Sequence, residues 1–121
     1  MTLKELSQLY YCRNEMKYLE EQITTLDAMG DVQELAKLRD ILSARMLLCV
    51  KLRTELEAYI STIDDSLTRQ IIHHRFVCGC SWRQVAQRVG GGNSAEGVKK
   101  ICYRFLRQSE GNRENENLND L

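Results

Sequence analysis

The residues of this 121-residue chain best placed to do chemistry are charged ones spaced three and four apart near its carboxyl-terminal end. If that stretch is helical, Glu96, Lys99, Lys100, Tyr103, Arg104 and Arg107 share one side, and Val98, Ile101, Cys102 and Phe105 share the other. Long cations that packing does not use suit phosphate oxygens. A carboxylate near the helix start can accept from a cytosine amine in a major groove. Any amphipathic helix has a charged outer face, so one helix alone does not separate a ligand-binding surface from a solvated one. The sign of the charge does more.

Two short helices must hold these residues in place. Ser81 reads as an N-cap with Gln84 three residues on, a spacing that lets each satisfy the other's exposed amide in a capping box. Trp82, Val85, Ala86 and Val89 then form one apolar stripe, and Gly90 stands where a left-handed residue ends a helix of about two turns. After Gly91, Gly92 and Asn93, Ser94 caps the charged helix. Ala86 is small enough to let two helices cross closely. Two amphipathic helices around a glycine-rich turn are the sequence form of a helix-turn-helix.

The formal net charge is zero, but it is unevenly distributed. Residues 1–63 hold eight Lys and Arg against ten Asp and Glu, or 8 − 10 = −2, whereas residues 66–109 hold eight against Glu96 alone, or 8 − 1 = +7. A basic segment that coincides with the helix pair is the electrostatic footprint of a nucleic-acid module. No apolar run is long enough to span a bilayer and MTLKEL carries no signal-peptide core, so a cytoplasmic protein with no membrane partner is expected. Five cysteines without framework spacing read as reduced thiols, with Cys12, Cys49 and Cys102 on apolar helix faces.

The amino-terminal half reads as a long antiparallel helical hairpin. Leu9, Cys12, Met16, Leu19, Ile23 and Leu26 alternate spacings of three and four, the seam of a coiled coil. Met29 and Gly30 end that helix, and Asp31 with Glu34 forms a second capping box. Leu35, Leu38, Leu42, Arg45, Cys49, Leu52, Leu56, Tyr59 and Ile63 continue the seam on a second helix roughly 45 Å long, with Arg45 its polar intruder. Ile41, Met46, Leu47, Val50 and Ile60 lie off the seam and widen the apolar face beyond what one partner helix covers. A second copy of the chain, giving a homodimer, is the simplest cover; the carboxyl-terminal module is the other.

Asp64, Asp65 and Ser66 are a cluster of N-cap residues that starts a new helix, with Leu67, Ile71, Ile72 and Phe76 facing the helix pair. The resulting three-helix module, 64–108, is too small to bury much core alone and should lean on the hairpin, 1–63. The tail, 109–121, is polar and acidic, and disorder is expected there. The expected fold class is thus all-α, a hairpin followed by a three-helix module.

Other constellations lead nowhere in the sequence. His73, His74, Cys78 and Cys80 are close, but adjacent histidines diverge on a helix and Cys-x-Cys is shorter than the usual zinc pair, so no metal is expected. The triple glycine reads as a flexible turn, because no GK[ST] follows it and no strand precedes it. Capping accounts for Asp64 and Asp65. No nucleophile and base stand together, so neither an enzyme nor a cofactor is expected.

The stretch IDDSLTRQIIHHRFVCGCSWRQVAQRVGGGNSAEGVKKICYRFLR resembles region 4 of sigma-70-type transcription factors. More narrowly, it resembles the small phage and prophage transcription regulators of the RinA and ArpU kind. Arg75-Phe76, Ser81-Trp82, Val85-Ala86, Val89-Gly90, Ser94, Glu96, Val98 and Lys99 carry the likeness. It implies a recognition helix, 94–107, in the major groove of double-stranded DNA, with Ser94, Ala95, Glu96, Lys99 and Lys100 at its base-facing or backbone-facing positions. Gly91 to Asn93 intervene where most sigma modules have one residue, and Ala95 and Gly97 stand where sigma factors carry arginine. The helix angle therefore does not carry over.

The residues lead to the expectation of a sequence-specific DNA-binding transcription regulator, and the resemblance implies one of phage or prophage type, an activator of late genes. In it Arg83, Arg88, Arg104 and Arg107 hold phosphates, and Glu96, Lys99 and Lys100 meet bases. Two other readings stay open: the DNA-recognition subunit of a phage terminase, and a protein that binds RNA polymerase or a sigma factor without reading DNA.

Overall fold

A computed structural model describes the backbone of residues 1–119 and the side chains of residues 1–110. The architecture is all-helical, with no strand among the described residues. Its helices are α1 (Leu3–Met29), α2 (Val32–Ser61), α3 (Ser66–Ile72), α4 (Trp82–Val89) and α5 (Ala95–Asn119), and a π turn (His73–Val77) follows α3 directly. The α5 helix runs through most of the segment whose composition predicts disorder. That segment has no proline to stop a helix already nucleated upstream, where each further residue adds one hydrogen bond. Asp120 and Leu121, the end of the same segment, lie outside the described residues.

The chain forms two compact units, and they do not divide at residue 64: Gln8–Glu55 is one, and Met1–Ser7 with the chain from Leu56 onward is the other. Within Gln8–Glu55, α1 and α2 run antiparallel. Cys49 Sγ donates to Cys12 Sγ at 2.9 Å and stands 3.2 Å from Met16 Sδ, Arg45 pairs with Glu15, and Arg39 lies 4.0 Å from Asp27. As the residue number rises on one helix it falls on the other. The seam residues Leu9, Cys12, Leu19 and Leu35 are buried, and Arg45 is half-buried and paired with Glu15.

The connection between these helices is a Schellman motif rather than a pair of independent caps. Gly30 (φ 75°) lets Asp31 N–H reach the Leu26 carbonyl at 3.4 Å, and Gly30 N–H the Asp27 carbonyl at 3.3 Å. Only half of the expected capping box at Asp31 forms. Its Oδ1 accepts from Glu34 N–H at 3.2 Å, but its own N–H is already given to Leu26, and the Glu34 carboxylate turns to Lys37 at 3.8 Å.

The other unit is built around α3, which packs against both α4 and α5 while those two pack against each other. Ile71, Ile72, Val85, Val98 and Cys102 are fully enclosed, with Phe76, Val77, Ala86 and Leu106 around them. Leu6 from the start of α1, Leu56 and Ile60 from the end of α2, and Ile63 just beyond it are buried in the same unit. The small module thus borrows apolar area from the hairpin's open end, which removes Ile60 from the uncovered face. Asp65 caps α3, accepting from Thr68 N–H at 3.0 Å and Thr68 O–H at 2.7 Å. Those bonds hold its carboxyl below the usual carboxylate range.

Candidate functional site

The helix pair expected to carry function starts from a complete capping box. Ser81 Oγ accepts from Gln84 N–H at 3.2 Å, and Gln84 Oε1 accepts from Ser81 N–H at 2.9 Å. Trp82 is then held by two neighbours: Tyr103 in an edge contact, with ring centroids 6.0 Å apart, and the Arg75 guanidinium, whose carbon lies over the Trp82 ring at 4.6 Å from its centroid. Arg75 also donates to the Cys80 carbonyl at 2.9 Å, and Arg69 to the Ile63 carbonyl at 2.7 Å. Two of the eight cations in the basic segment are therefore structural ties.

The turn from α4 to α5 is closed by a side-chain hydrogen bond. Gly90, Gly91 and Gly92 all have positive φ, and Asn93 closes the loop by donating from Nδ2 to the Gly90 carbonyl at 2.8 Å. Gly90 sits at φ 64°, ψ −147°, a region essentially closed to residues with a Cβ. No atom lies within 4 Å of where that Cβ would stand, so the cost of Gly90→Ala is a backbone cost. We expect about 1–2 kcal/mol of destabilisation, read as a lower urea midpoint at unchanged m. An unshifted midpoint would show that the turn can adopt another path.

Ser94 then starts α5, its Oγ accepting from Gly97 N–H at 3.0 Å. At about 100° per residue, Glu96, Lys99, Lys100, Tyr103, Arg104 and Arg107 occupy an arc of about 140°, and the buried Val98, Cys102 and Leu106 form a stripe beside it that comes within about 20° of Lys99. Glu96, Lys100, Arg104 and Arg107 are exposed, as are Arg83 and Arg88 on α4. Among the described residues none of these six charged groups, nor Lys99, forms an ion pair. Lys99 Nζ stands 6.0 Å from the Tyr103 ring centroid, and Lys100, Tyr103 and Arg107 line a shallow groove with Leu3, Leu106 and Glu110. Ala95 is half-buried beside the cap. Tyr103, read as an outward residue, is half-buried against Trp82, a contact that depends on how the helices cross and leaves no mark in the residue spacing.

A second cluster lies outside this face. The ligand atoms of His73, His74 and Cys78 lie within 4.8 Å of one another, and Cys78 Sγ is 3.5 Å from His73 Nε2. Divergence of adjacent histidines is a property of the α-helix. Here the backbone is a π turn, in which Cys78 N–H donates to the His73 carbonyl at 3.1 Å. His74 Nδ1 is buried and has no hydrogen-bond partner among the described residues. Burial, then the charges of His73 and Arg88, push the His74 imidazole below its ordinary pKa. Cys80, grouped with these residues in the sequence, is buried apart from them.

No helix among the described residues is long and apolar enough to cross a membrane. No protein-family model, curated protein or solved structure matches this chain.

Proposed function

We propose that this protein is a sequence-specific DNA-binding transcription regulator whose α4–turn–α5 unit acts as a sigma-region-4-like helix-turn-helix. One observation supports the reading best. Arg69 and Arg75 are occupied by backbone carbonyls, whereas Arg83, Arg88, Lys99, Lys100, Arg104 and Arg107 project from α4 and α5 with no carboxylate partner among the described residues. Unneutralised cations on one helix pair cost self-repulsion in the free protein, and that repulsion is relieved when phosphates replace the counterions. The stretch from Glu96 to Arg107 is about 16 Å long, enough for a helix to follow a major groove about 12 Å wide. Glu96, Lys99 and Lys100 meet base edges or adjacent phosphates in this reading, and Arg83, Arg88, Arg104 and Arg107 hold the backbone. The resemblance to phage and prophage regulators adds a role in late-gene activation, with host RNA polymerase as a further partner.

The protein acts as a homodimer in the same reading, joined through α2. Met46, Leu47 and Val50 are 50%, 73% and 64% exposed, and their spacing places them within about 100° of arc on the surface of α2. Sedimentation velocity should give a dimer for the wild type and a monomer for Leu47→Glu with Val50→Glu, with circular dichroism unchanged. A wild-type monomer at high micromolar concentration would rule out this interface.

The DNA-binding reading is tested by retardation of duplex DNA under a salt series. Binding whose affinity falls steeply with salt supports it. Capture of RNA polymerase together with an absence of DNA binding would replace it by the polymerase-contact reading.

A further inference from the structure

The geometry points to a binding site for a divalent transition-metal ion of the zinc class, formed by His73, His74 and Cys78 at the π turn between α3 and α4. This inference is independent of any nucleic-acid role. Two imidazoles and a thiolate are a ligand set suited to zinc, and three protein ligands leave a fourth position open to water or another donor.

The backbone explains why three such residues meet. A turn closed by a hydrogen bond to the fifth residue needs more than four residues per revolution, so each residue advances by less than the roughly 100° of an α-helix. His73 and His74 therefore diverge less, and Cys78, five residues on, returns beneath them instead of passing to the far side. The two rings stand with centroids 5.5 Å apart.

The distances suit coordination. Ligands at about 2.0 Å for imidazole nitrogen and about 2.3 Å for thiolate, held at a tetrahedral angle, lie about 3.5 Å apart. Cys78 Sγ and His73 Nε2 are 3.5 Å apart already. The remaining separations, none above 4.8 Å, close by small rotations of the exposed Cys78 side chain and the half-buried rings. His74 Nδ1 supplies a further observation: a buried ring nitrogen without a hydrogen-bond partner has an unmet demand that ligation at that atom removes. On binding, the Cys78 thiol gives its proton to solvent as the sulfur–metal bond forms, and each imidazole donates a lone pair, so no oxidant or reductant is needed. The Arg88 guanidinium, whose field reaches His74, opposes a cation here, and the thiolate charge offsets it. Cys78 is accordingly the ligand on which affinity should depend most.

The test is a titration of the reduced, untagged full-length protein with Co(II), followed by Zn(II). The expected result is one cobalt per chain, with a thiolate-to-cobalt charge-transfer band and visible bands of tetrahedral intensity, all abolished by one equivalent of zinc. Cys78→Ser should remove the charge-transfer band, and because Cys78 is exposed this change leaves the core intact. His73→Ala and His74→Ala should each weaken cobalt affinity by at least about tenfold. Zinc should also slow alkylation of Cys78 by iodoacetamide in the wild type. A folded wild type that takes up no cobalt at millimolar concentration, or a charge-transfer band that survives Cys78→Ser, would overturn the assignment.

Discussion

Replacing Lys99 and Lys100 together by alanine is expected to weaken duplex DNA binding by up to about a hundredfold at about 0.1 M salt, and to lower the slope of log affinity against log salt by about 1 for each lysine that meets a phosphate rather than a base. Each cation that neutralises a phosphate releases counterions, which contributes a slope of about 0.9 and close to a tenfold gain in affinity at that salt concentration. Lys100 is exposed and Lys99 half-exposed, and no ion pair holds either among the described residues, so their removal leaves the fold unchanged. Fluorescence anisotropy across a salt series, with circular dichroism as the control for folding, gives both numbers. If one lysine contacts a base edge rather than a phosphate, affinity still falls, the slope changes by about 1, and discrimination between sequences narrows at one position. An unchanged slope and affinity in the double variant would remove both lysines from the interface.

The second large effect is on stability in alkali. Burial of Cys102 at the centre of the α3–α4–α5 core pushes its thiol from 9.0 up to about 11, against a smaller opposing pull from Arg75. The folded state therefore holds this proton more tightly than the unfolded chain does. Between those two pKa values the native state binds more protons than the unfolded state, so unfolding free energy falls as pH rises. The stabilisation is complete below pH 9.0 and is lost as pH climbs through about 11. A shift of this size corresponds to about 2–3 kcal/mol.

Cys102→Ala removes the titrating group at the cost of a small cavity, which lowers stability at all pH values but flattens its alkaline slope. Urea unfolding of both proteins from pH 8 to pH 11 should therefore give curves that converge as pH rises, because lysine and tyrosine titrations are common to the two. Parallel curves would mean that the thiol ionises as readily in the core as in water. Cys12, raised to about 11 chiefly by burial and then by its contact with Cys49, contributes the same sign in the hairpin and is untouched by the substitution.

Much of this architecture is legible in the sequence because its signals are local. A capping residue and its target lie three apart, so Ser81 with Gln84, Asp65 with Thr68 and Ser94 with Gly97 can be read without knowing the fold. The heptad seam is legible for the same reason, and Arg45 as its polar intruder finds Glu15 on the facing helix. What escapes the sequence depends on neighbours in space or on a single change in backbone pitch. Nothing in the apolar spacing of α3 announces that the chain switches to a π turn at His73, and that switch alone turns diverging histidines into a cluster with Cys78. The edge contact of Tyr103 on Trp82 depends on a crossing geometry that glycine spacing in the turn does not encode. Leu6 and Ile60 read as hairpin residues, yet they lie in the core of the unit that holds α5. Of the candidate surface, the six cations and Glu96 were recoverable from spacing and charge; which cations the fold itself consumes was not, since Arg69 and Arg75 differ from Arg83 and Arg88 only in the carbonyls and ring beside them.

We propose above all that α5 reads sequence with Glu96, Lys99 and Lys100. Selection of binding sites from a random duplex pool, run in parallel with the wild type and with Glu96→Ala, Lys99→Ala, Lys100→Ala, tests it most directly. A defined motif for the wild type, lost or relaxed in the triple variant, is the predicted result, and two half-sites related by symmetry would accompany the proposed dimer. A folded wild type that enriches no motif, or one whose motif passes unchanged to the triple variant, would contradict it.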